Sequence, residues 1–289
     1  MSLLGFTPLS EVVNQLFTLH GSQIMSAPRS AVAILDLASI SIASGDPMSA
    51  VCFRRFGRHA LLEWSLRRLS EAALLDHIAI VGPKALEGEV LRCSLQGALW
   101  VPCDSVCAIE RSELVADMLH AKWLVYTSPK CPFVDEILLD RMIGAGWKHP
   151  DADYVGYFSP SNPEFSLSSL GLVGELCHRR TLERLLASSR QATDHRTVPA
   201  RVRGGADIFN CRLLPLPTAL DNKDLRFSLE SAADWEHVDA LLELSDDDSD
   251  YRRLAEYSLE MGRTDRPKAD GESQLGAPHW NSKLSINAR

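Results

Sequence analysis

The chain reads as an α/β protein, a Rossmannoid arrangement in which a mainly parallel, mixed sheet is flanked by helices. Three observations predict this. Apolar runs such as residues 31–37 (AVAILDL) and 77–81 (HIAIV) are continuous rather than alternating, which marks strands buried on both faces. Between them, residues 60–73 (ALLEWSLRRLSEAA) set Leu62, Leu66, Leu69 and Ala73 at helical spacing, and strand, helix, strand is a parallel crossover unit. With 289 residues, 45% of them hydrophobic and 24% charged, the chain can bury the sizeable core that one large domain of this class, or two small ones, requires.

The remaining elements follow in order. Residues 3–19 are mildly amphipathic and precede a polar break at 21–30, so residues 1–30 read as an N-terminal extension docked outside the sheet. A small-residue loop, 38–50, follows the first strand. Strands at 98–101 and 122–126 bracket a helix at 112–120, and the loop 126–135 (YTSPKCPFVD) leads into a helix at 136–143 and a strand at 154–158. Segments 165–176 and 206–216 read as strands around a helix at 180–188, and 225–230 (LRFSLE) reads as a further strand. Residues 231–244 form a helix with Ser231 as N-cap and Asp234 three positions on, a capping-box variant that closes the main domain, 31–244. An acidic turn at 246–250 introduces a C-terminal helix, within 245–261, and the polar tail 262–289 reads as disordered.

Charge and cysteine usage exclude several classes. A net charge of −8 opposes binding to nucleic-acid backbones, which requires a basic face. Seven scattered cysteines, an odd number, read as reduced thiols of a cytoplasmic protein. Cys103 and Cys107 lack a second pair or a histidine at metal-site spacing, so they read as structural thiols rather than zinc ligands. There is no bilayer-length apolar run and no basic-then-apolar leader, so neither a membrane nor secretion is expected. No G-x-S-x-G, H-E-x-x-H, G-x-G-x-x-G or P-loop string follows a strand. His120 reads as a surface or partly buried helix residue, and Cys131 as a thiol beside Lys130 with no histidine base nearby in sequence.

Taken in sequence, ALLEWSLRRL with LLDHIAIV, YTSPKCPFVDEILLDRMI with DADYVGY, and LRFSLESAADWEHVDAL resemble the nucleotidyltransferases of the spore coat polysaccharide biosynthesis protein F and CMP-KDO synthetase type. The resemblance spans residues 31 to 244. It implies a GT-A-like nucleotidyltransferase fold, transfer from a nucleoside triphosphate, usually CTP, to a sugar acid with pyrophosphate release, a Mg²⁺ cofactor, and the possibility of a homodimer.

The residues that would carry this chemistry are altered. The family's triphosphate loop, of the form RxGSxRLPGK, is here ASISIASGDPMSAVC, with no lysine or arginine between Leu37 and Phe53. Ser44, Gly45 and Ser49 remain as neutral donors, and neutral hydrogen bonds are about half as strong as charge-assisted ones. Arg54, Arg55, Arg58 and His59 follow the loop, either as compensating phosphate ligands or as a solvated basic face. The family's T-x-D-C-P-L-I-D, whose first aspartate binds the metal, carries Lys130 at that aspartate. An ammonium cannot ligate a hard cation, so Lys130 either pairs with phosphate as a point charge or, more simply, stands solvated in a structural turn. At the later strand the metal-binding aspartate becomes Glu230, the one metal ligand the resemblance leaves, while Asp234 reads as a cap. On the substrate side the family's G-L-D-V-E-V-F has its aspartate replaced by Val173 and its glutamate kept as Glu175, and His195 and Arg196 partly match E-H-V-T-P-Y. With Arg201 and Arg203 they form a basic stretch suited to an acidic sugar, although an exposed polar loop is the simpler reading. Two readings stand: a divergent transferase with Lys130 and Glu230 in catalytic roles, or an inactive relative kept as a binding or assembly module.

Overall fold

The computed structural model describes residues 30–39, 51–162, 167, 170–188, 197–245 and 249–264. Seven strands form one sheet: β1 (Ala31–Asp36), β4 (His77–Gly82), β5 (Leu99–Pro102), β6 (Trp123–Thr127), β7 (Tyr154–Phe158), β8 (Glu175–His178) and β9 (Cys211–Pro215). A hairpin of β2 (Arg55–Phe56) and β3 (His59–Ala60) lies apart. The sheet order is β5-β4-β1-β6-β8-β7-β9, parallel from β5 to β6 and between β7 and β9, with β8 antiparallel to both its neighbours. The mixed, mainly parallel sheet expected from the sequence is thus present.

The continuous apolar pattern of β1 has a direct cause. Ala31, Ala33 and Leu35 enter the core on one side of the sheet, and Val32 and Ile34 enter the core on the other. The first side is covered by α1 (Leu61–Ser70), α4 (Glu136–Lys148), α7 (Ala232–Leu244) and α8 (Tyr251–Thr264), the second by α3 (Ala108–Met118), α5 (Arg180–Ser188) and α6 (Val198–Gly204). A short helix, α2 (Glu87–Val90), precedes β5.

Several boundaries differ from the sequence reading. Helix α3 spans Ala108–Met118 rather than 112–120, because the inward-facing Arg111 disguises its first turn. Helix α4 continues through Gly144 and Gly146 to Lys148. Gly146 serves close packing there, since a Cβ would lie 2.7 Å from Leu176 and 3.4 Å from Trp123. Residues 225–230 do not form a strand: Leu225, Phe227, Ser228 and Leu229 are buried, yet the segment packs over the loop at 170–172 instead of joining a ladder. Among the described residues of 165–176 and 206–216, strand is confined to Glu175–His178 and Cys211–Pro215, and Gly171 before β8 has φ +70°. Helix α8 runs three residues into the expected tail, and its Tyr251, Leu254 and Ala255 belong to the main core. The remaining N-terminal extension and tail lie outside the described residues.

Gly171 fixes where the late segment sits. A Cβ there would meet the backbone of Phe227 and Ser228 at 2.6 Å, and its positive φ is costly for any L side chain. Replacement Gly171→Ala is expected to destabilise the protein by about 2 kcal/mol or more. That corresponds to a fall in Tm of about 4–8 °C in thermal unfolding; an unchanged Tm would refute the close approach.

Candidate functional site

The chain runs outward from β1 to β4 and β5 on one side and turns back through β6 on the other, so the strand order reverses between β1 and β6. The carboxyl ends of strands at such a reversal form the crevice where ligands bind in open α/β sheets. Three groups of charged residues lie there.

At the end of β1, Asp36 accepts from Arg111 on α3, Nε at 3.0 Å and Nη2 at 2.7 Å, and from the Ala38 N–H at 3.0 Å. Arg111 also donates to the Ser105 carbonyl at 2.7 Å and is buried. The sequence reading missed this pair, whose members lie 75 residues apart with no motif joining them.

At the end of β6, the loop 128–135 is closed by its own turns. The Ser128 hydroxyl accepts from the Lys130 N–H at 3.2 Å, and its carbonyl accepts from the Cys131 N–H at 2.9 Å. Lys130 is only 7% exposed, and its Nζ donates to Glu230 Oε2 at 3.1 Å. The simpler expectation of a solvated Lys130 is therefore wrong. The cause is the 225–230 segment, which the Leu229 N–H fastens to the Lys130 carbonyl at 3.0 Å, carrying Glu230 over the ammonium. Glu230 itself is half-exposed. Asp234 caps α7 as expected, exchanging hydrogen bonds with Ser231 and also accepting from the Glu230 N–H at 3.0 Å.

Burial pushes the Cys131 thiol up to about 12, reinforced by the Glu230 carboxylate and only partly opposed by Lys130. Burial likewise takes Cys52 to about 12 against the pull of Lys130. Both thiols stay protonated at neutral pH, which removes Cys131 as a nucleophile.

Arg54 and Arg55 diverge. The Arg54 guanidinium lies over the Trp235 ring of α7, 4.2 Å from its centroid, on the helix that begins just after Glu230. Arg55 donates to the Arg58 carbonyl, and its charge acts on Glu63 and Cys93 instead.

At the start of β8, Glu175 lies opposite Tyr126 of β6, at the same end of the sheet. It accepts from the Tyr154 hydroxyl at 2.6 Å and from Arg203 of α6. The exposed polar loop expected around Arg201 and Arg203 is instead a helix, capped by Thr197, which accepts from the Ala200 N–H at 3.4 Å, with Pro199 in its first turn and Arg201 buried. Ser44, Gly45, Ser49, His195 and Arg196 lie outside the described residues.

The resemblance implies a divalent metal between the positions of Lys130 and Glu230, and the donors do not fit one. The sole carboxylate of that pair is engaged by an ammonium, and no group of three or more His, Cys, Asp or Glu side chains suited to a metal occurs among the described residues. No helix among the described residues is long and apolar enough to cross a membrane.

Asp135 ends the loop as the N-cap of α4. It is fully buried, accepts from the Leu138 N–H at 2.9 Å and the Tyr251 N–H at 3.1 Å, and burial raises its carboxyl from 3.8 to about 6. A raised folded-state pKa stabilises the fold below the unfolded value and loses that contribution as pH rises through the folded one. Relative to Asp135→Asn, the native protein is therefore expected to lose stability in urea unfolding between about pH 4 and pH 6; a pH-independent difference would refute this.

No family model matches the chain, and no curated protein matches it at a significant level. Solved structures do match. A cytidylyltransferase from Leptospira borgpetersenii serovar Hardjo-bovis (strain JB197) superposes with a TM-score of 0.68 at 14% identity, over 84% of this chain and 98% of that one. CMP:2-keto-3-deoxy-manno-octonic acid synthetase, solved with CTP, gives 0.52 at 10% identity over 74% and 99%. Rv0371c of Mycobacterium tuberculosis H37Rv, solved with manganese, gives 0.50 at 14% identity over 73% and 97%. With its strand order, its antiparallel β8 and its crevice at the β1/β6 reversal, this chain has the nucleotidyltransferase fold of the cytidylyltransferases.

Proposed function

We propose that the chain is a divergent nucleotidyltransferase of the cytidylyltransferase type, joining CTP to a sugar acid for surface polysaccharide synthesis. The observation that supports this reading is the meeting of Lys130 and Glu230, from distant segments, at the crevice where this fold receives a ligand. In the reaction, a sugar hydroxyl oxygen bonds to the α-phosphorus, the bond from that phosphorus to pyrophosphate breaks, and the hydroxyl proton leaves to solvent. Such transfer draws on positioning and electrostatics more than on covalent chemistry. Lys130 supplies a point charge to the phosphates, Arg54 a second cation from the α7 side, and Ser44, Gly45 and Ser49 neutral donors. Glu175 with Arg203 serves the acidic sugar, and the partial E-H-V-T-P-Y match gives His195 and Arg196 the same role.

One observation favours a second reading, an inactive relative retained as a binding or assembly module. Glu230 offsets the Lys130 charge before any phosphate arrives. Calorimetry with CTP, UTP, ATP and GTP, followed by a pyrophosphate-release assay with sugar acids, separates the readings. The transferase binds CTP in preference and releases pyrophosphate; a binding module binds without release; binding of no nucleotide would sink the transferase and leave the assembly module.

A further inference from the structure

The geometry points to Lys130 as a built-in cation that replaces the divalent metal, so that the crevice takes a phosphate-bearing ligand without metal, with Glu230 as the counter-ion the ligand displaces. For its ligand the inference rests on the nucleotide reading above; for its metal it does not.

Three observations carry it. Lys130 stands where the resembled sequences place the first metal-binding aspartate, and Glu230 stands where they place the second. The two side chains meet, Nζ to Oε2 at 3.1 Å, so an ammonium engages one oxygen of this carboxylate and repels any hard cation that approaches it. The arrangement is built rather than incidental. Lys130 is only 7% exposed, its carbonyl is held by the Leu229 N–H, and its N–H is held by Ser128. Glu230, in contrast, is half-exposed, and its side chain can swing into water. A buried cation with a surface counter-ion is suited to exchanging a carboxylate for a phosphate oxygen, a charge-assisted bond of the same kind.

The test has two arms. In the first, Mn²⁺ is titrated into the native protein, Glu230→Gln, Lys130→Asp and Lys130→Met, with free Mn²⁺ followed by electron paramagnetic resonance. The native protein and Lys130→Met are expected to take up no Mn²⁺ at this site, and Lys130→Asp, which restores the carboxylate pair, is expected to gain a site. Stoichiometric uptake by the native protein that is lost in Glu230→Gln overturns the inference, as does a folded Lys130→Asp that takes up none. Should Lys130→Asp not fold, the native and Glu230→Gln titrations decide alone. In the second arm, CTP binding is measured in EDTA and in Mg²⁺. Equal affinity, with a loss of about tenfold or more in Lys130→Met, supports the inference, and binding that requires Mg²⁺ overturns it. If CTP binds in neither buffer, the nucleotide reading fails while the Mn²⁺ arm still rules on the metal.

Discussion

The buried carboxylate of Asp135 holds together the pieces on which the site depends. Its backbone N–H donates to Leu172, one oxygen caps α4 through the Leu138 N–H, and the other accepts from Tyr251 at the start of α8. Three segments distant in sequence thus meet at one residue with no exposure. Removing a carboxylate from water is costly, which is why its proton is held up to about 6, and the two backbone donors offset part of that cost. With the end of the loop fixed in this way, Lys130 at its centre has a defined place, and the Leu229 N–H can bring Glu230 to it.

The same physics recurs across the carboxyl end of the sheet. On three neighbouring strands or the loops that follow them, a carboxylate meets a cation: Asp36 with Arg111, Lys130 with Glu230, and Glu175 with Arg203. Desolvating such pairs costs much of what their attraction returns, so they add little net stability. Their consequence is geometric. The bidentate Asp36–Arg111 contact fastens α3 to the end of β1, and Glu175 links the start of β8 to both α6 and Tyr154. Gly156 leaves the room this requires, since a Cβ there would sit 2.4 Å from the Tyr154 hydroxyl. Of the three carboxylates Glu230 is the most exposed and the least held by its surroundings.

Much of the scaffold was legible because burial leaves a periodic trace. The runs of β1, β4 and β7 and the spacing in α1 and α5 were readable since apolar side chains facing two cores, or one, impose their own pattern. That trace failed where polar groups were buried. Arg111 hid the first turn of α3, and the basic Arg201 and Arg203 hid α6, because Arg111 turns inward to Asp36 and Arg203 to Glu175, partners far off along the chain. It also misled at 225–230, where burial reflects packing over Gly171 and not a ladder, since an apolar run records which side chains are buried and says nothing of where the backbone hydrogen bonds go.

The sequence by itself determined the α/β class, the order of the main elements and the capping of α7 by Ser231 and Asp234, because each is written in local composition and spacing. Only the tertiary structure decided that Lys130 is buried and paired, that Arg54 lies over Trp235 while Arg55 turns to Arg58, and that Cys131 is held as a thiol. Those outcomes depend on groups brought together from segments far apart along the chain. The strength of a charge depends on what surrounds it, and those surroundings exist only once the segments have packed.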